Sequence, residues 1–181
     1  PQLTYVHLMA PHMPYRYHPE TTPACLAQAG LSGDHPARYE DVNGLREPPP
    51  SSAVRERVAA YYCGEVSWAD RLVGDVLDAI DETGRTGWIF VLSDHGEELW
   101  DHGGFEHGHT LKQELLHVPL LVRPPGGHPV RAGGRVVSDP VSLVDLGPTL
   151  VQLTGAEPLQ RTVGMDLSPL LAGADSLIAP A

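Results

Sequence analysis

Residues 88–122 read WIFVLSDHGEELWDHGGFEHGHTLKQELLHVPLLV, and the rest of the chain is organised around them. Ile89, Phe90, Val91 and Leu92 form a short apolar run suited to a strand buried on both faces. The run stops on Ser93-Asp94-His95-Gly96, which sets a carboxylate and an imidazole at the strand's carboxyl end. Open α/β sheets bind their ligands at that end. Gly96 lets the chain turn sharply without a Cβ penalty. The loop that follows carries Asp101, His102, Glu106, His107 and His109 among glycines, before a helical pattern begins near Thr110. Strand, acid-imidazole tip, histidine-rich loop and helix together read as a metal and oxyanion site.

The 181 residues are enough for one domain with a sizeable core. At 41% hydrophobic and 19% charged residues the composition is that of a globular chain. A net charge of −11 argues against nucleic acid or an anionic membrane surface as partner. It leaves room for an anionic substrate, because a site metal and histidines supply local positive charge. No apolar run approaches the ~18 residues of a membrane span. Cys25 and Cys63 have no metal-ligand spacing; nothing in the sequence supports the disulfide that they could form, and the expectation is two free thiols. The sequence opens at Pro1 directly into a strand-like segment, so the expectation is an internal piece of a longer protein, with localisation unreadable.

In chain order, residues 3–9 alternate like a strand and run into Pro11-His12-Met13-Pro14-Tyr15, a strand tip that delivers an imidazole to a loop. Residues 16–50 show no periodicity and are expected to be a long irregular excursion, an insertion or substrate loop. Ser51-Ser52 offers an N-cap to a helix over residues 55–80, whose stripe runs through Val58, Tyr61, Tyr62, Val66, Ala69, Leu72, Val73, Val76, Leu77 and Ile80. Gly64 and Gly74 would allow it to pack closely on a sheet, and Gly84 is the expected C-cap. A short helix capped by Thr110 over residues 110–116, a strand over 120–123 and another over 135–137 follow. Asp145 and Pro148 open a helix that stops at Gly155, and residues 163–173 read as a surface coda.

These residues resemble the sulfatases, a family of the alkaline phosphatase-like superfamily. The likeness rests on Ser93-Asp94-His95-Gly96-Glu97-Glu98, His107-Gly108 with Thr110-Leu111, and Val118-Pro119-Leu120-Leu121-Val122 with Pro125-Gly126. It extends to Tyr5-Val6-His7-Leu8 with Pro11-His12-Met13-Pro14-Tyr15, and to the run from Val141 through Leu150. It implies an α/β fold, an alkaline phosphatase-like mixed or parallel sheet sandwiched by helices, here as a partial domain. It also implies an N-terminal half with a Cys/Ser-x-Pro-x-Arg motif whose first residue becomes the formylglycine nucleophile. Neither Cys25 nor Cys63 sits in such a motif, so residues 1–181 are expected to be the later part of a catalytic domain, inactive alone.

The resemblance further implies site roles. Asp94 and His95 would ligate a divalent metal, calcium first by its preference for oxygen, with manganese or zinc if the chain is a phosphatase relative. His12 would protonate the leaving group, and His107 would contact the sulfate oxygens, with His109 its rival by register. Glu97 and Glu98 could accept hydrogen bonds from the site residues behind the metal ligands, but the expectation is that they are exposed loop carboxylates. The implied activity is hydrolysis of small-molecule or glycan sulfate esters. Phosphate or phosphonate ester hydrolysis, or phosphoglycerol transfer, is the alternative within the superfamily. A non-catalytic metal- or carbohydrate-binding module is the alternative of another class.

Overall fold

The computed structural model describes residues 2–32, 38–39, 49–132, 134–174 and 176–177. The chain divides into two compact units. The first comprises Pro1–Tyr5, Thr86–Asp94 and Pro119–Ala181, and the second Val6–Arg85 and His95–Val118.

In the second unit, β1 (Tyr15–Arg16) pairs antiparallel with β2 (Arg38–Tyr39). Between them lies α1 (Thr22–Gln28), so the segment expected to be irregular contains a helix, opened by Pro23 in its first turn. Residues 33–37 and 40–48 of that segment lie outside the described residues. The long α2 (Ser52–Glu82) follows with Ser51 as N-cap residue, and Gly84 beyond its end takes a left-handed φ of +65°.

The expected stripe buries Val58 and Tyr61, while Val66 stays 44% exposed. Within its unit the helix docks on α1 and against β1, where the Arg16 amide donates to Oε1 of Glu65 at 2.7 Å. Gly64 is the contact point: a Cβ there would come within 3.0 Å of the Thr22 Cα, whereas nothing lies near Gly74. Thr21 Oγ1 donates to the Gly64 carbonyl at 2.9 Å, and Cys25 is disulfide-bonded to Cys63 with Cα atoms 6.0 Å apart. The expectation of free thiols is therefore corrected. Two cysteines 38 residues apart gave no hint of pairing in the sequence, and the docking of α1 on α2 brings them together.

Beside these helices, β4 (Glu98–Leu99) and β5 (Phe105–Glu106) form an antiparallel pair, and α3 (Gln113–Leu116) closes the unit. Helix α3 starts later than Thr110, whose Oγ1 instead accepts from the Lys112 amide at 3.0 Å. The core joins Met13, Tyr15, Cys25, Leu26, Val58, Ala60, Tyr61, Trp100 and Phe105, with Trp100 stacked on Phe105 at 4.5 Å.

In the first unit, β3 (Ile89–Leu92) pairs with β6 (Leu120–Arg123). The pairing is antiparallel and β3 is half-buried, so the reading of a strand buried on both faces is not what the described residues present. Mixed sheets accommodate such a pair. Residues 3–9 and 135–137 are not strands among the described residues, and Leu3, Tyr5 and Val136 are exposed.

A 3₁₀ turn (Leu143–Asp145) leads into α4 (Leu146–Thr154), which ends at Gly155 with φ +64°. Asp145 is buried. Its Oδ2 accepts from the Ser142 amide at 2.7 Å and its Oδ1 from the Met165 amide at 2.8 Å. Thr149 Oγ1 accepts from the Leu167 amide at 2.9 Å. These bonds pin residues 164–171, including α5 (Ser168–Leu171), so the expected coda is anchored and buries Leu167 and Leu170.

Candidate active site

The candidates divide between the units. Asp94 is exposed two residues past β3 in the first unit. His12, His95, His107 and His109 belong to the second unit, where three of them converge. The His107 ring centroid lies 4.1 Å from that of His95 and 5.3 Å from that of His12. They come from two stretches of sequence, the loop before β1 and the loops around β4 and β5.

Hydrogen bonds fix each ring. Nδ1 of His12 lies 2.6 Å from the Met13 carbonyl, and Nδ1 of His95 lies 2.8 Å from the Gly96 carbonyl. Nδ1 of His107 lies 2.9 Å from Oε1 of Glu97. Carbonyl and carboxylate oxygens only accept, so each Nδ1 is the donor, and on His12 and His107 Nε2 is the nitrogen left for chemistry. Gly96 is demanded by space more than by a turn: its amide donates to the Leu115 carbonyl at 2.9 Å, and a Cβ would collide with the Glu114 carbonyl.

Glu97 and Glu98, expected to be exposed, have buried side chains, 5% and 1% accessible. Oε2 of Glu97 accepts from the Tyr15 hydroxyl at 2.8 Å. Burial, and then the Glu97 charge, push the Tyr15 phenol far above its ordinary range, and the same causes raise Tyr62. Tyr15 is thus held protonated as a donor to Glu97.

Glu98 gathers the neighbouring loop. Its Oε1 accepts from the amides of Gly104 at 2.7 Å and His102 at 3.0 Å, and His109 Nε2 lies 3.0 Å from its Oε2. Burial raises the Glu98 pKa, but the Gly104, His109 and His102 hydrogen bonds outweigh it and hold the carboxyl below the usual range. Gly104 has no room for a side chain, since a Cβ would sit on the His109 ring nitrogen. His102 Nδ1 lies 2.6 Å from Oε1 of Glu114.

Donor atoms of Glu98, His102 and Glu114 lie within 4.8 Å of one another and could gather on a cation. The hydrogen bonds just described already account for their closeness. Sequence reasoning missed the burial of Glu97 and Glu98 and the parts played by Glu114 and Tyr15. The available signal was two adjacent acids ahead of a glycine-rich loop with several histidines, since buried imidazoles and carboxylates seek each other.

Comparison with known proteins gives the class. The sequence profile of the sulfatase family matches residues 1–156. Arylsulfatase K of Xenopus laevis is 32% identical over 150 residues, covering 81% of this chain and 27% of that protein. Steryl-sulfatase of Mus musculus is 41% identical over 125 residues, covering 60% of this chain and 19% of that protein. Among solved structures, the phosphonate monoester hydrolase of Silicibacter pomeroyi superposes with a TM-score of 0.64 at 30% identity, covering 82% of this chain and 28% of the other. The fold is that of the alkaline phosphatase-like proteins.

The chain belongs to the sulfatase family of hydrolases. It spans about a quarter of the length of the relatives it matches. No helix among the described residues is long and apolar enough to cross a membrane.

Proposed function

We propose that these residues form the leaving-group and sulfate-binding side of a sulfate ester hydrolase site, with the nucleophile contributed by residues outside the 181. The convergence of His12, His95 and His107, in a chain of the sulfatase family, carries this reading. His12, with Nδ1 bound to the Met13 carbonyl, would deliver a proton from Nε2 to the departing alkoxide. His107 would hold the oxygens of the group being transferred. The commitment of His109 Nε2 to Glu98 favours His107 over His109 for that role.

Asp94 and His95 would hold the divalent cation. Their donor chemistry fits: a carboxylate suits calcium, and an imidazole whose other nitrogen is fixed by a carbonyl suits manganese or zinc as well. When bound, the cation would polarise the ester's non-bridging oxygen and offset developing charge.

The likeness to phosphonate monoester hydrolase supports phosphonate or phosphate ester hydrolysis as the second reading. The two separate in one comparison, using the full-length protein that carries this chain with 4-nitrophenyl sulfate and an aryl phosphonate monoester. The expected kcat/KM favours the sulfate by at least ~10-fold, about 1.4 kcal/mol in activation free energy. Asp94→Ala should lower both metal content and rate. Preference for the phosphonate would establish the second reading, and turnover of neither ester would point to a binding module.

A further inference from the structure

We propose that Glu97, backed by Tyr15, is a positioning residue that fixes the ring plane and tautomer of His107, an inference that rests on reading His107 as the holder of the transferring group. Three segments meet at this carboxylate: Tyr15 stands 82 positions from Glu97 in sequence, and His107 stands 10 positions away. Tyr15 is fully buried, and the Glu97 side chain is 5% exposed. A buried carboxylate needs partners for both oxygens, and here each oxygen has one, at 2.8 Å and 2.9 Å.

The consequence falls on His107. A carboxylate accepts and never donates, so Glu97 keeps the proton on Nδ1 and leaves Nε2 as the working nitrogen. The Tyr15 hydroxyl holds the other oxygen and stops the carboxylate from swinging. Rotating the His107 ring would break the Glu97 bond and the ring contacts to His95 and His12 together. Glu97 therefore acts through His107 and touches no reacting atom.

The test uses the full-length protein with ¹⁵N-labelled histidine, at about pH 9 so that imidazoles of ordinary pKa near 6.5 are neutral. Resonances of His107 are assigned by their loss in His107→Asn. The wild type should show His107 protonated on Nδ1. In Glu97→Ala the proton should move to Nε2. Should that variant fail to fold, Glu97→Gln gives the same reading: with its oxygen held by the Tyr15 hydroxyl, its NH₂ faces Nδ1 and demands the Nε2–H tautomer. Adding Tyr15→Phe to Glu97→Gln frees the amide to turn, and should restore Nδ1–H.

In kinetics, loss of Glu97 should lower kcat on 4-nitrophenyl sulfate by about 10–100-fold, as for other side chains that orient a working imidazole, with KM changing much less. An unchanged tautomer in both Glu97 variants would overturn the proposal, as would an unchanged kcat in an enzyme that hydrolyses sulfate esters normally. If the wild type hydrolyses no sulfate ester while the tautomer still follows Glu97, the functional reading fails and the positioning of His107 stands.

Discussion

Each oxygen of Glu98 has its own partners, two backbone amides on one and the His109 imidazole on the other. The loop from Glu98 to His109 is therefore tied to one carboxylate. Because the folded-state pKa of Glu98 is depressed, its contribution to stability is fully present above the unfolded carboxyl pKa of about 4.3 and is lost as pH falls through the folded value. Acid should thus loosen this loop before the rest of the unit. Amide exchange at His102 and Gly104 should rise as pH falls below the ordinary carboxyl range, relative to helix α2, after correction for intrinsic rates. In Glu98→Gln both amides should be less protected already at neutral pH. Protection at the two amides that stays independent of pH and of this substitution would remove Glu98 as the organiser. The sequence offered Glu98 as a loop acid like any other, because burial is set by residues that arrive from elsewhere.

At the scale of elements, α2 was the most legible part of the chain. A 3.6-residue stripe, a serine ahead of it and a glycine behind it are local signals, and the helix runs Ser52–Glu82. Its partner was not legible. Helix α1 is seven residues long, opens with a proline and carries no extended stripe, so only its docking on α2 defines it. The Cys25–Cys63 bond holds that docking, along with the close approach at Gly64. Replacing both cysteines with serine should cost about 2–4 kcal/mol of stability, the usual range for a bridge closing a loop of this size. Urea unfolding of the double variant, read against the wild type with its disulfide intact, measures this. An unchanged midpoint would mean that α1 docks without the bridge.

For the whole molecule, the candidate site was readable where chemistry is written into adjacent residues. Asp94-His95-Gly96 after an apolar run drew attention to a strand tip, whereas His12 between prolines acquired its proposed role only through the family resemblance. What brings His12 next to His107 is a path through nearly a hundred residues, and single-sequence patterns carry no such distance. Strand partners were obscure for the same reason: residues 89–92 announce a strand, but nothing local says that residues 120–123 lie antiparallel to it.

On the proposed function, His12 serves the leaving group while His107 serves the group transferred. A leaving-group series of sulfate esters, with kcat/KM measured for His12→Ala and His107→Ala of the full-length enzyme, tests it most directly. His12→Ala should lose about 10²–10⁴-fold on alkyl esters whose leaving groups need the proton, and much less on 4-nitrophenyl sulfate. His107→Ala should slow all esters by similar factors. A leaving-group dependence unchanged in His12→Ala, or one that steepens in His107→Ala, would contradict this division of labour.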